Sequence, residues 1–265
     1  MDCKLVLNNI RKEFREYVSK ARLKSVVLGI SGGLDSAIVA AIVRPVCDEL
    51  KIQLIGVSLP SVTNKDEEVW RANAIMFAFC TNHLVKTIDN FVHEFIAGQY
   101  HITTKDKEEK IAIGNIKART RMILLYNIAY QNKGMVLGTD NLSEYNLGFW
   151  TLHGDVGDFG PIQNLWKSEV YELANWVVNN ELKDPKTIIA LQVCIDAIPT
   201  DGLGITSSDL EQIGAKSYEE VDKIFKEYFE SDKYKDHPVI QRHIRTIFKR
   251  NNPHNITREL LFKEE

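Results

Sequence analysis

The sequence predicts an open parallel α/β sheet flanked by helices, followed by a helical C-terminal extension. Three observations carry that expectation. Short apolar runs of strand length alternate with helix-period segments through the first ~140 residues. The run "SVVLGI" at 25–30 is continuously apolar, as a strand covered on both faces must be. The composition, 44% hydrophobic and 26% charged over 265 residues, supplies a sizeable core without internal repeats. We expect one domain over 1–265, with its core at about 20–225 and a helical part at about 226–265.

Each element has its own signal. Ile10, Phe14, Tyr17 and Val18 recur at helical spacing, which predicts a helix over 4–21. Strand 25–30 runs into a largely apolar helix over 34–50, with a kink expected at Pro45. "IQLIGVSL" (52–59) is a second strand, ended by Pro60. A helix over 65–80 carries acids in its first turn, which suits the helix dipole. "HLVKTID" (83–89) reads as a third strand, and a long helix over 115–132 is stopped by Lys133 and Gly134. "MVLGTD" (135–140) is the fourth strand. Helices are expected over 168–178, 217–229 and 237–250, and loops over 98–112 and 196–216, the latter a candidate lid.

Charge and cysteine usage narrow the classes. A net charge of -3 offers no broad basic surface for nucleic acid. Cys3, Cys47, Cys80 and Cys194 form no close pair of the kind that zinc or redox motifs use. There is no apolar run near the ~20 residues of a membrane span. The N-terminal stretch lacks a signal-peptide core, so a cytoplasmic protein without membrane partners is expected.

The most informative stretch is "SGGLDS", residues 31–36, between the first strand and its helix. In an open parallel sheet ligands bind beyond the carboxyl ends of the strands, and this turn lies there. Gly32 and Gly33 let backbone amides approach a ligand closely, and the free N–H groups of a helix start favour an anion. Ser31 and Ser36 add hydroxyls, with Gly29, Ile30 and Leu34 flanking the turn. The stretch is a phosphate cradle that matches neither the Walker A pattern nor the GxGxxG fingerprint. Asp35 beside phosphates is repulsive unless a cation lies between them, so it implies Mg²⁺.

SGGLDS resembles the pyrophosphate-binding loop of the PP-loop ATP pyrophosphatases, which cleave ATP to AMP and pyrophosphate while adenylating an acceptor. Three further strings, "GNIKARTRM" (114–122), "LGTDNLSE" (137–144) and "GDVGDFGPIQNLWKSEVYELA" (154–174), make the chain similar to the ammonia-dependent NAD synthetases. That resemblance implies an adenine nucleotide alpha-hydrolase-like, Rossmann-like fold. It implies ATP, deamido-NAD and ammonia as substrates, Mg²⁺ as cofactor and a homodimer, with the "KARTRM" helix near the dimer seam. It places Thr139, Lys167 and Thr200 on ATP, and Asp35 and Glu144 on the metal. Asp35, Glu144 and Lys167 would then carry the chemistry. It places Arg119, Phe149, Asp158 and Lys249 on the dinucleotide.

The residues themselves leave plainer readings open. Glu144 also suits a first-turn helix acid, Lys167 an exposed helix-start lysine, and Phe149 ordinary core packing. Asp140 suits an N-cap or turn. Departures cluster on the dinucleotide side. Where the family reads TKYGDGGxD, this chain has Leu152 in place of the lysine and a loop one residue shorter. Phe248-Lys249-Arg250 stands where the family has His-Lys-Arg. Nicotinate mononucleotide is therefore an alternative acceptor. The same motifs would also suit a different PP-loop adenylation, or a nucleotide-binding relative without catalysis.

Overall fold

A computed structural model describes residues 1–98, 107–199 and 209–263. Among these, four strands form a parallel sheet: β1 (Ser25–Gly29), β2 (Gln53–Ser58), β3 (Asn82–Val85) and β4 (Gly134–Leu137), in the order β3-β2-β1-β4. Val26 pairs with Leu54 on one side and Met135 on the other, so β1 is central. The chain builds the sheet outward from β1 to β3, then returns to lay β4 on the opposite side of β1. Strand order thus reverses between β1 and β4, and a crevice opens beyond their carboxyl ends.

The helices in chain order are α1 (Cys3–Ala21), α2 (Leu34–Leu50), α3 (Asp66–Phe79), α4 (Asp89–Ala97), α5 (Lys107–Gln131), α6 (Leu142–Leu147) and α7 (Lys167–Asn180). They continue with α8 (Pro185–Ile195), α9 (Asp209–Ile213), α10 (Tyr218–Ser231), α11 (Pro238–Arg245), α12 (Ile247–Arg250) and α13 (Arg258–Leu261). Val26 and Leu28 point into a core shared with Phe14 of α1, Ile38 of α2 and Leu173 of α7. Val27 points the other way, against Ile88, Val92 of α4 and Ala129 of α5. Coverage on both faces is why β1 carries no polar alternation. Helix α2 runs on past Pro45, which is exposed in its last turns.

Several elements depart from the sequence reading. The third strand stops at Val85, four residues short, and α4 follows it at once. Helix α5 starts at Lys107, inside the stretch expected to be a loop, and α9 occupies part of 196–216. Helix α8 adds to the expected elements. Asp184 caps it by accepting from Lys186 N at 3.0 Å, and Pro185 opens it. The single helix expected over 237–250 breaks at Thr246. Its hydroxyl bonds Arg242 O at 2.9 Å, and its side chain lies against Gly148, where an added Cβ would fall 2.4 Å from it.

The C-terminal helices form a third core with α6, centred on Phe225, Val221 and Ile240. They also bring cations to the carbonyl end of α6. Arg242 Nε donates to Leu147 O at 3.1 Å, Arg250 Nη1 to Asn146 O at 2.9 Å, and Lys249 Nζ to Gly148 O at 2.7 Å. A helix carboxyl end favours such donors.

His243 Nδ1 lies 2.7 Å from Asn146 O, with its ring edge-on to Phe225 and Phe229. Burial, and then the nearby Arg250 charge, hold its pKa below the ordinary 6.5 despite the bond to Asn146. The unfolded chain therefore binds the proton more readily, and stability falls as pH drops through 6.5. Urea unfolding at pH 7.5 and 5.5 should show a smaller loss for His243→Gln than for the unsubstituted chain.

Candidate active site

The SGGLDS turn takes its shape from contacts behind it. Gly32 has φ +84°, and a Cβ there would sit 2.2 Å from Glu68 O of α3, so only glycine fits. Arg71 Nε grips the Gly32 carbonyl at 2.8 Å. Ser31 Oγ accepts from Gly33 N at 3.2 Å, and Ser36 Oγ donates to Gly33 O at 3.2 Å. Gly33 is the extended N-cap of α2 and offers no side-chain cap, so the helix opens toward the crevice with its amides available. Ser36 is buried behind the turn and shapes it from there.

A buried ion cluster faces this turn. Lys167, the first residue of α7, is only 3% exposed. Its ammonium pairs with Asp35 Oδ2 and lies 3.3 Å from Glu144 Oε1. Asn141 joins the two carboxylates: Nδ2 donates to Asp35 Oδ1 at 3.1 Å, and Oδ1 accepts from Glu144 N at 3.0 Å as the N-cap of α6. Burial pushes the Glu144 carboxyl up to about 7, against the pull of Lys167. Burial alone would lower the Lys167 pKa, but Asp35 and Glu144 outweigh it and hold it well above the usual lysine value. Asp140, next to the cluster, is raised well above the carboxylate range, first by burial and then by Glu144.

Asp35, Asp140, Glu144 and Lys167 line one cavity of about 820 Å³. Residues 29–35 form one wall, residues 138–140 another, and Glu144 and Lys167 stand between them. Gly29, Ile30, Ser31, Gly32, Gly33, Leu34, Asp35, Thr139, Glu144 and Lys167 thus converge from the exits of β1 and β4. Thr200 lies outside the described residues.

The residues expected on the dinucleotide lie elsewhere. Arg119 is exposed on the outer face of α5, where Nε donates to Leu152 O at 3.2 Å. Lys117 and Arg121 flank it and line the cavity instead. Lys117 bonds Thr63 Oγ1 at 2.8 Å, and Arg121 bonds Leu59 O at 3.0 Å. Residues 117, 118, 121, 122 and 125 share that face, a helical spacing readable in the sequence. Phe149 packs in the C-terminal core under the Arg242 guanidinium, 4.9 Å from its ring centre. The Asp158 carboxylate accepts from Val136 N at 2.8 Å and Tyr126 OH at 3.2 Å. Lys249 is spent on the carbonyls of Gly148 and Trp150. Trp150 itself lines the cavity with Tyr145, and its buried Nε1 has no hydrogen-bond partner among the described residues.

Among the described residues no group of three His, Cys, Asp or Glu side chains could hold a metal. Asp35 and Glu144, which both meet the Lys167 ammonium, carry two hard oxygen-donor groups at the cavity wall. Mg²⁺ commonly takes one or two carboxylates and completes its shell with substrate phosphates and water, so the pair fits that ion.

A parallel sheet whose cavity opens at a strand-order reversal, with a Ser-Gly-Gly turn and a carboxylate-lysine cluster there, is an α/β protein of the nucleotide-binding PP-loop type. The chain belongs to the NAD synthase family, whose model matches residues 6–260. It is 34% identical over 239 residues to an NH(3)-dependent NAD(+) synthetase of Thermoplasma acidophilum, covering 88% of this chain and 90% of the relative. A Methanocaldococcus jannaschii protein of the same description is 34% identical over 224 residues, covering 84% and 80%. Among solved structures, an NMN synthetase from Francisella tularensis is similar with a TM-score of 0.78 and 25% identity, covering 97% and 98% of the two chains. An NH3-dependent NAD synthetase from Campylobacter jejuni shares the fold with a TM-score of 0.74 and 24% identity, covering 97% and 100%.

Gly32→Ala should displace the turn from α3, because both the positive φ and the Glu68 carbonyl oppose a side chain there. The expected result is a lower melting temperature together with weaker ATP binding by calorimetry. An unchanged ATP affinity would contradict this account of the turn.

Proposed function

We propose that the chain converts deamido-NAD, ATP and ammonia to NAD, AMP and pyrophosphate through an acyl-adenylate. The observation that carries this reading is the Asp35–Lys167–Glu144 cluster facing the SGGLDS turn within one cavity. The relatives described as NH(3)-dependent NAD(+) synthetases support the same activity.

A nicotinate carboxylate oxygen forms a bond to the α-phosphorus of ATP, and the bond to the β-phosphate oxygen breaks to release pyrophosphate. Ammonia then adds to the acyl carbon, the bond to AMP breaks, and the nitrogen loses a proton to solvent. The turn amides and the α2 N-terminus hold the departing pyrophosphate. Lys167 offsets charge that builds on the phosphate oxygens. Mg²⁺ held by Asp35 and Glu144 would supply further charge neutralisation across the phosphates. The protein positions reactants and excludes water, and neither step needs a covalent nucleophile from the chain. Cys194 lines the cavity, but burial pushes its thiol up to about 11, so it is not a thiolate at neutral pH.

Arg119 lies outside the cavity, so its contact with the dinucleotide would fall at its rim, near a homodimer seam along α5. Ile123 and Tyr130 are exposed on that helix, Tyr130 by 85%, which supports a seam there. Phe149, Asp158 and Lys249 would act by holding the loop at 148–158 rather than by touching substrate. Thr200 would contact ATP, as the family resemblance implies. No described helix is long and apolar enough to cross a membrane, and a cytoplasmic location suits the substrates.

A second reading, amidation of nicotinate mononucleotide, is favoured by Leu152 and by the likeness to the Francisella NMN synthetase. Incubation with ATP, Mg²⁺ and ammonium, plus either acceptor, should give AMP and pyrophosphate. The ratio of kcat/KM for the two acceptors separates the readings, and ADP as product would overturn both. Asp35→Asn should lower kcat/KM about 10²–10³-fold while the chain stays folded. That outcome is checked by AMP release alongside thermal unfolding.

A further inference from the structure

Lys167 has an awkward post. It is the first residue of α7, where helix N–H groups lack intrahelical partners and the end is prone to fray. Trp166, the N-cap, has no side-chain oxygen with which to hold those amides. Two other helices supply the acceptors. Lys167 N donates to Ser143 Oγ of α6 at 2.8 Å, and Ser168 N donates to Asp222 Oδ2 of α10 at 2.9 Å. The Ser143 hydroxyl donates in turn to Asp222 Oδ1. Asp222 is 2% exposed, Ser143 is fully buried, and neither lines the cavity. Asp222 therefore touches no substrate, yet one carboxylate accepts from two elements that frame the ion cluster.

We propose that Asp222 is a positioning residue for adenylation: through Ser143 and the Ser168 amide it fixes the start of α7 and so holds the Lys167 ammonium between Asp35 and Glu144. The inference rests on the phosphate role proposed for Lys167.

The geometry explains why a carboxylate is required. Asp222 receives two donors and gives none, and its negative charge sits at the positive end of α7. Ser143 donates to it because a carboxylate has no hydrogen to give, while the Ser143 oxygen accepts from Lys167 N. In Asp222→Asn the amide keeps its oxygen on Ser168 N and turns its NH2 toward Ser143. The hydroxyl then faces two donors and its own hydrogen has no acceptor. The side-chain volume is unchanged, so core packing is preserved while the relay is broken.

The test is a double-mutant cycle with Asp222→Asn, Lys167→Met and the pair together, reading AMP formation at saturating ATP and acceptor. Asp222→Asn is expected to lower kcat about 10–100-fold, the usual effect of removing a group that orients a reacting one. In the Lys167→Met background it should lower kcat no further than about twofold, because its route of action is gone. The same factor in both backgrounds would overturn the proposal, since a residue that merely supports the fold acts regardless of Lys167. An unchanged kcat in Asp222→Asn would also overturn it. If Lys167→Met itself leaves kcat intact, the reading of the site fails, which is a distinct result. Ser143→Ala, which keeps the Asp222–Ser168 bond, supplies the same cycle should Asp222→Asn not fold.

Discussion

The site depends on one buried ammonium held between two carboxylates. Taking a charge out of water is expensive, and a buried lysine is tolerated only when opposite charge meets it at close range. Here Asp35 comes from the first turn of α2, Glu144 from α6, and Lys167 from the start of α7. Each helix start is therefore tethered to the others by the need to satisfy that charge. Removing one partner of such a group leaves the others uncompensated, which typically costs about 3–5 kcal/mol. The two carboxylates outnumber the one ammonium, so a triphosphate entering this cavity would need a further cation beside them.

Backbone geometry brings these groups together. Strand order reverses between β1 and β4, so the turn after β1 and the turn after β4 open onto one crevice. Small residues let the walls close. A Cβ on Gly157 would lie 2.3 Å from Gly138 N, so the 154–160 segment crosses the exit of β4 at backbone contact. From the other side the C-terminal helices cap the carbonyl end of α6 with Arg242, Lys249 and Arg250. These cations, separated by about a hundred positions from the carbonyls they meet, hold the element that carries Glu144.

That capping role bears on acceptor choice. Family membership and the relatives' descriptions point to carboxylate amidation, while Leu152 and Phe248 depart from the family pattern on segments outside the ion cluster. Lys249 keeps its place in the motif, yet its ammonium is consumed by the Gly148 and Trp150 carbonyls. Beside it the Trp150 ring lines the cavity, and its indole N–H has no partner among the described residues. The side of the cavity at the SGGLDS turn and the side at Trp150 are thus built by different rules. One rests on a charge cluster, the other on backbone and ring placement.

The sequence alone determined the strand-helix alternation and the Ser-Gly-Gly turn with its carboxylate, and the family resemblance singled out Glu144 and Lys167. Glycines at a strand exit and a carboxylate beside them follow from steric and charge constraints that act within a few residues. Apolar periodicity placed α1 and α10 within one or two residues, because each buries a single face, whereas α2, buried on all sides from Ser36 to Val43, is marked by its continuous apolar run. Tertiary structure decided the partners of polar groups. Asp158 reads as a substrate ligand in its motif, but its carboxylate completes the edge of β4 through Val136 N. Arg119 and Arg121 are two apart in the chain, and only the packing of α5 turns one outward and the other into the cavity. The break at Thr246 and the reach of Asp222 to the start of α7 involve hydrogen bonds across 50 or more residues. Such bonds leave no local pattern, since a serine or aspartate reads the same in sequence whether it faces water or a buried amide.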